Sequence, residues 1–253
     1  MKSTLSRIVI ALLLLTMGGV GAKAQTIIDT GEPAKVLRFG VRVGLTSSNL
    51  TNNYDASSRD MKWKNQNWKN GFTFGGVVDI NIRNYFAIQP GIFFVSRGNT
   101  YSMLISNDNK LKMLEGKCNG NYWQIPVMFS FRLGVAELAQ LHLDVGPYFA
   151  YGFGGKNKYS VYGYEMGTDA NSMPVIIRED GKPQEGDYYG DKGIVDRYDS
   201  GIKFGIGIQA MGNFYVGAHY EYSMRNVLRD NEKLNVRPKG HNKIWNFTLG
   251  YNF

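Results

Sequence analysis

The sequence predicts an all-β fold, an eight-stranded antiparallel barrel that crosses a membrane, and three observations carry this prediction. Apolar residues alternate with polar residues or glycine over eight segments from residue 36 onward. The face opposite the apolar one is rich in glycine and poor in charge, whereas the outer face of a soluble sandwich meets water. The predicted connections are alternately short and long, as they are in outer-membrane barrels.

The first two dozen residues have the pattern of an export signal. A basic start is followed by an apolar run over 8–17 and an A-x-A cleavage motif at 22–24. The sequence therefore predicts a signal peptide at 1–24, a short periplasmic segment at 25–34 and a barrel domain at 35–253. The predicted location is the cell outer membrane.

The first four predicted strands share one design. The first has leucine, phenylalanine or valine at the odd positions of 37–45, with arginine or glycine between them. The second, 72–82, and the third, 86–94, are separated by a turn at Arg83-Asn84 and so form a hairpin. The fourth alternates over 123–133. In each strand the apolar series is expected to face lipid.

The last four predicted strands repeat this alternation. The fifth carries apolar side chains at the odd positions of 141–153, and the sixth alternates isoleucine and phenylalanine with glycine over 202–208. The seventh covers 216–222. The eighth runs from Trp245 to Phe253 with aromatic residues and one leucine on a single face. Eight strands are enough to close a narrow barrel.

The connections set the predicted orientation. The short links are 83–84, 134–140 and 211–213, and the long links are 46–70, 98–121, 156–198 and 224–242. Short turns belong to the periplasmic side and long loops to the extracellular side, so both termini are predicted to be periplasmic. Within the third long link, Val175-Ile176-Ile177 before Asp180-Gly181 predicts a hairpin above the membrane.

Charged side chains share the predicted inward face, where the lumen is just wide enough for side chains to fill it. We expect them to pair with one another in place of water. A narrow path for a solute or an ion, lined by the arginine excess, is the alternative. The predicted lumen residues are Arg38, Arg42, Asp79, Arg97, Arg132, Asp144, Lys203 and Glu221.

The sequence predicts no catalytic residue, cofactor or metal site. His219, Glu221 and Ser223 form a hydrolase-like set, but along a strand the serine lies about 13 Å from the histidine. One cysteine, Cys118, and three histidines give no zinc-ligand spacing, and Cys118 is expected to be a loop thiol. The stretch 205–210 matches a dinucleotide-binding pattern but lies within a strand.

Loop residues are the candidates for contacts outside the cell. Trp63 and Trp68 lie among lysines, a mixture that fits lipopolysaccharide phosphates or glycans and also an interfacial aromatic girdle. Tyr188 and Tyr189, with Tyr198, are expected to form a rigid contact surface, and the alternative is that they lie at the membrane rim without a partner. The expected partners are outer-membrane lipid, lipopolysaccharide and an extracellular ligand of unknown identity. Removing 1–24 lowers the formal charge from +8 to +5, and the scattered excess predicts no nucleic-acid binding.

Several short motifs carry a family resemblance: residues 85–91 leading to Ser96-Arg97-Gly98, then Ile125-Pro126, then Gly146-Pro147-Tyr148. With them the chain resembles the PorT-like, or porin-family, outer-membrane β-barrel domain of Bacteroidota-type bacteria over residues 35–253. The resemblance implies an outer-membrane location and no single activity, and Arg97 stands where members often carry lysine. The C-terminus at Phe253 resembles the signal read by the barrel-assembly machinery, which implies that machinery as a partner.

From these observations we expect an outer-membrane barrel with a packed polar lumen and a structural or surface-interaction role through its extracellular loops. A transport protein, either a narrow solute porin or a secretion-accessory barrel, is the alternative from another functional class. An outer-membrane hydrolase is the third.

Overall fold

In a computed structural model, the chain is described at residues 27–53, 61–107, 110–136, 139–168, 173–179, 181–190, Gly193, 195–229 and 239–253. The predicted signal peptide and its cleavage motif lie outside these residues. The strands in chain order are β1 (Leu37–Asn53), β2 (Met61–Arg83), β3 (Phe86–Asn107), β4 (Lys110–Ala136), β5 (Ala139–Thr168), β6 (Pro174–Glu179), β7 (Gln184–Asp187), β8 (Tyr198–Ala210), β9 (Phe214–Ser223) and β10 (Lys239–Asn252). No helix in the described residues is long and apolar enough to cross a membrane.

Eight of these strands close into a ring. The order β4-β3-β2-β1-β10-β9-β8-β5 is completed by pairing of β4 with β5, and every pairing in the ring is antiparallel. The short strands β6 and β7 pair with β5 outside the ring. The predicted eight-stranded antiparallel barrel is therefore confirmed.

The two faces of the ring have opposite chemistry. Outward-facing Phe39 and Ile206 are 60% and 54% exposed, whereas inward-facing Arg42 and Glu221 are 3% and 0% exposed. This arrangement follows from the period of two, because successive side chains on a strand point to opposite faces. A continuous apolar belt around a closed barrel is stable only when lipid covers it.

Aromatic rings form a girdle at the extracellular edge of the apolar belt. The centroids of Phe72 and Phe94 are 5.3 Å apart, and those of Trp123 and Phe153 are 5.8 Å apart. Phe94 also contacts Phe153 edge to face at 5.8 Å. Aromatic side chains favour the membrane interface, so these four residues, hereafter the girdle, indicate where the hydrocarbon core ends.

Strands β2 to β5 continue far beyond the girdle, and there the sequence prediction was wrong. The link 98–121 is not a loop, because β3 and β4 stay paired up to Asn107 and Lys110. Much of 156–198 is also strand, since β6 and β7 pair with the upper part of β5. The described side chains on both faces of these segments are largely polar, with exposed Lys117 and Lys158 on one face and buried Asn99 and Asn157 on the other, so the apolar alternation of the membrane part does not continue into them. We call the parts of β2 to β7 beyond the girdle the extracellular sheet.

The predicted hairpin at Val175-Ile176-Ile177 exists, and its other strand is β5. The run lies in β6, opposite β5, with Thr168 paired to Pro174. The sequence prediction places a turn after the run, at Asp180-Gly181. Asp180 itself lies outside the described residues.

The periplasmic end has tight turns and a strap. The β2–β3 turn is at Asn84-Tyr85, one residue later than predicted, and the β8–β9 turn is at 211–213 as predicted. Met211 and Gly212 have φ values of 50° and 73°, as both central residues of a type I′ hairpin turn require. Residues 27–36 bond along this rim, where the carbonyls of Ile27 and Gly31 accept from Gly134 and Asn84 at 2.9 and 3.2 Å.

A charge placed on the lipid face should destabilise the barrel. Val78→Arg, Phe129→Arg and Ile206→Arg lie near the middle of the belt, and each is expected to lower the free energy of unfolding by about 2 to 4 kcal/mol. Unfolding titrations in lipid vesicles measure this loss. Met211→Arg, at the exposed periplasmic turn, is the control and should be nearly neutral. A neutral Ile206→Arg would reverse the inside and outside assignment of β8.

Candidate functional site

The lumen is crossed in its extracellular half by a buried ion network centred on Arg97. Its Nη1 lies 2.6 Å from Asp199 Oδ2, and its Nη2 lies 3.3 Å from Glu221 Oε2. Lys203 Nζ lies 2.9 Å from Glu221 Oε1. Because these residues come from β3, β8 and β9, the network joins opposite walls of the barrel. We call it the upper network.

Neutral side chains complete the upper network. Gln124 donates to Glu221 at 2.9 Å and accepts from Arg97. Asp199 accepts from Ser223 at 2.5 Å and from Asn242 at 3.1 Å. Buried charges are tolerated only when partners replace their hydration, so these hydrogen bonds allow the ions to stay inside. The Arg97 guanidinium also lies 4.6 Å from the ring centroid of Tyr122 and 5.4 Å from that of Tyr148.

A second layer of charge lies nearer the periplasm. Arg132 Nη2 lies 3.2 Å from Asp79 Oδ1, and its Nη1 donates to Asn81 Oδ1 at 2.6 Å. Gln89 donates to Asp79 at 2.5 Å. Asp144 Oδ2 accepts from Tyr215 at 3.1 Å. We call this layer, together with His219 and Arg42, the lower network.

Large side chains of the lower network fit against glycines on the same strand or on the adjacent strand. The Arg42 guanidinium lies 4.3 Å from the centroid of the Tyr215 ring. A Cβ at Gly207 or Gly217 would collide with that ring, and one at Gly250 would collide with the Arg42 side chain. The glycine-rich inward face therefore provides the space in which these side chains pack. These side chains occupy the lumen at the level of the lower network.

The eight predicted lumen residues fall into three places. Arg97, Lys203 and Glu221 meet in the upper network, and Asp79, Arg132, Asp144 and Arg42 lie in the lower one. Arg38 is different, since it lies half-buried at the periplasmic rim and donates to the carbonyl of Gly212. The sequence missed Asp199, which is 2% exposed and forms the shortest ion pair of Arg97.

The extracellular mouth is covered by a cap formed by two connecting segments. Its members are Tyr188, Tyr189, Val195, Val227 and Leu228, all of which are buried. The rings of Tyr188 and Tyr189 are 4.7 Å apart. A backbone bond joins the two segments, with Asp196 N donating to Val227 O at 2.8 Å, and Val227 N donates to Gly240 O of β10 at 3.0 Å.

The cap corrects the expected role of its two tyrosines. Tyr188 and Tyr189 are 2% and 5% exposed, so neither forms an outward contact surface. Both rings turn into the mouth because Tyr122 and the aliphatic cap residues offer them apolar contacts there. Tyr122 and Tyr189 meet edge to face at 5.4 Å. Burial raises the pKa of Tyr188 well above its usual value, which keeps its phenol neutral.

Three further residues from the sequence prediction have definite places. Cys118 is not a loop thiol, because it lies buried in β4 beneath the cap and its Sγ donates to Asn157 Oδ1 at 3.3 Å. Burial raises the pKa of this thiol to about 12. Trp68 is 43% exposed just above the girdle. The side chain of Trp63 lies outside the described part of the structure.

The hydrolase-like set does not assemble. His219 Nε2 lies 3.0 Å from Asp144 Oδ2, whereas the Ser223 hydroxyl donates to Asp199 in the other network. Glu221 is occupied by Arg97, Lys203 and Gln124. All three side chains are buried. The arrangement holds the walls of the barrel together and does not present a nucleophile to a substrate.

Comparison with known proteins identifies the family of this barrel. A family model described as outer membrane protein beta-barrel domain matches residues 24–229. The chain belongs to this family. As an outer-membrane protein it lies in the outer membrane, with its apolar belt in contact with lipid.

Solved structures of outer-membrane proteins are similar at low sequence identity. Ail, the attachment invasion locus protein of Yersinia pestis, is 15% identical over 85% of this chain and 98% of that chain, with a TM-score of 0.36. Its complex with the heparin analogue sucrose octasulfate gives 16% over 87% and 100%, with a TM-score of 0.37. OprG from Pseudomonas aeruginosa gives 11% over 89% and 99%, with a TM-score of 0.34. A search of curated proteins found no match.

Proposed function

We propose that this outer-membrane protein is a closed, non-enzymatic barrel whose role is to hold its extracellular sheet at the cell surface for contact with other molecules. One observation supports the proposal: buried side chains span the lumen at successive levels. The cap, the upper network and the lower network each cross the barrel, and their central side chains are almost fully buried. A solute would have to break buried ion pairs to pass.

The height of the extracellular sheet supports the same role. β5 extends from Ala139 to Thr168, far longer than the roughly 9 to 11 residues that cross a membrane. A connector between two membrane strands needs no such extension. The paired strands β2 to β5 give the sheet a defined surface above the lipid. A surface of fixed shape is better suited to specific contacts than a flexible linker is.

We also propose a route by which the protein reaches the outer membrane. Residues 1–24 act as a signal peptide, and the mature chain is of the PorT-like type that its motifs resemble. The exposed ring of Phe253, at the end of β10, serves as the recognition signal for the barrel-assembly machinery. Lipopolysaccharide surrounds the extracellular half of the belt.

Conductance in planar bilayers tests closure. The purified full-length barrel should show no stable open channel, because the networks leave no continuous aqueous path. An outer-membrane porin reconstituted in the same way confirms that the assay detects pores. Discrete and reproducible steps from this protein would overturn the closed barrel and favour the transport alternative.

Photo-cross-linking in intact cells tests the contact role. A photoreactive residue at exposed Lys112, high on β4, should form a discrete adduct, whereas one at Met211 in the periplasmic turn should not give the same adduct. Identical adducts from both positions, or none from Lys112, would contradict a specific extracellular contact.

A further inference from the structure

Four lysines gather on the outward face of the extracellular sheet, close above the girdle. Lys117 of β4 stands directly opposite Lys158 of β5, and Lys156 lies two residues from Lys158 on the same face. The Lys156 and Lys158 side chains are 67% and 69% exposed. Like charges directly opposite on neighbouring strands are destabilising by themselves. Such a pair is more stable when an anion lies between its members.

Lys69 joins this group from β2. Its side chain crosses Gly98, and its Nζ lies 3.0 Å from Cys118 O and 2.9 Å from Asn119 Oδ1. Both of these partners are uncharged, so they orient the ammonium without neutralising it. Burial, and then the nearby charge of Lys117, lower the pKa of Lys69. An anion would relieve this repulsion.

Carboxylates are concentrated at one side of the group. Glu185 of β7 contacts Lys156 and lies 3.3 Å from Lys158. Asp187 stands opposite Lys156 in the same pairing, and Glu115 is the acid on the β4 side. Glu185 therefore offsets Lys156 and Lys158, and the remaining positive charge lies at Lys69 and at Lys117, two residues from Glu115 on β4.

The height of the four lysines above the hydrocarbon core indicates which molecules lie next to them. Lys69 and Lys156 come three residues beyond Phe72 and Phe153 of the girdle, which is about 10 Å along each strand and less along the membrane normal once the strands tilt. Lys158 and Lys117 stand higher, at about 17 and 20 Å along their strands from Phe153 and Trp123, so Lys69 and Lys156 form the lower edge of the group. The polar headgroup layer begins at this level. An outward-facing side chain at this height has outer-leaflet headgroups as its neighbours.

A cleft on the same face adds hydroxyl groups. It has a volume of about 520 Å³, and its lining includes Thr100, Ser102, Lys117, Lys158, Ser160 and Tyr162, together with the acid Glu115. Lysines beside hydroxyls and a tyrosine ring match a phosphorylated sugar, because ammonium groups bind phosphate and hydroxyls bond to sugar oxygens.

We propose that Lys69, Lys117, Lys156 and Lys158 form a binding site for the phosphorylated glucosamine headgroup of the outer-leaflet glycolipid. The site faces the membrane and not the solvent above it, so it does not depend on the extracellular sheet having a protein partner. Its ligand anchors the sheet to the leaflet in which the barrel sits.

Binding of lipid A to the refolded full-length protein in detergent micelles tests this site. Each lysine near an anionic surface contributes enough to change affinity about five-fold, so Lys69→Gln/Lys117→Gln should bind bisphosphorylated lipid A about 25-fold more weakly. Lys182→Gln removes an exposed lysine between β6 and β7 and should leave affinity unchanged. The substituted side chains lie outside the lumen, and a heat-modifiable gel shift confirms that each variant is folded.

Two further arms separate the possible sources of phosphate. Dephosphorylated lipid A should bind no better to the unsubstituted protein than to the double variant, and inorganic phosphate should compete only at far higher concentration than lipid A. Affinity should also fall with added salt. Equal binding by the double variant and the unsubstituted protein would overturn the site. Competition by inorganic phosphate at the concentration of lipid A would overturn its assignment to a glycolipid.

Discussion

Arg97→Ala is expected to lower the free energy of unfolding by about 3 to 5 kcal/mol, because it leaves buried acids without their cation. Asp199 loses its ion pair of 2.6 Å, and Glu221 keeps only Lys203 and Gln124. The side chains of both acids are 0% exposed, so water cannot replace the guanidinium without opening the lumen. Unfolding titrations in lipid vesicles measure the loss.

Arg38→Ala is the matched control for Arg97→Ala. Arg38 also points into the barrel, but it is only half-buried and donates to a backbone carbonyl at the rim. Its loss should cost about 1 kcal/mol, as for a single hydrogen bond. Equal effects of the two substitutions would mean that the upper network is hydrated and does not close the barrel.

Deletion of residues 239–253 is expected to abolish folding in detergent and in cells. β10 pairs with β1 over 14 residue pairs from Gly40↔Asn252 to Asn53↔Lys239, and with β9 on its other side. Without it, both neighbours would expose unpaired backbone groups to hydrocarbon at several kcal/mol each. The heat-modifiable gel shift of a folded barrel should be absent.

Deletion of Phe253 alone separates folding from assembly. Its amide donates to Phe39 O at 2.8 Å, and its ring is 61% exposed at the rim, so little of the barrel is lost with it. The shortened chain should refold in detergent and keep the gel shift, yet accumulate poorly in the outer membrane. Normal accumulation would show that Phe253 is not the assembly signal. A failure to refold would assign it a role in closing the barrel instead.

The membrane part of the fold could be predicted from the sequence because lipid imposes a strict rule on every strand. Leu37 to Leu45 and Ile202 to Ile208 alternate without exception, since any outward polar residue would lie in hydrocarbon. Above the girdle this rule ends. The paired strands at 99–107 and 110–119 carry polar residues on both faces, such as buried Asn99 and exposed Lys117, so their sequence resembles that of a loop.

The lumen site could be predicted only in part for a related reason. Alternation identified Arg97 and Glu221 as inward-facing, but Asp199 precedes the apolar series that begins at Ile202, and nothing in the sequence marked it as part of β8. Tyr188 and Tyr189 posed a different difficulty. The sequence flanking a tyrosine that is buried in the cap does not differ from the sequence flanking a tyrosine at the membrane rim. Only the backbone hydrogen bonds of the cap show that Tyr188 and Tyr189 are buried.

The cap and the end of the hairpin formed by β5 and β6 are separate parts of the extracellular region. Thr168 and Pro174 end the hairpin of β5 and β6, whereas the cap is bonded to itself and to Gly240 near the start of β10. Thr168 is 15 residues beyond Phe153, about 50 Å along the strand. Foreign sequence inserted between Thr168 and Pro174 is therefore expected to leave the cap and the lumen unchanged. An epitope carried there should stand clear of the surrounding leaflet.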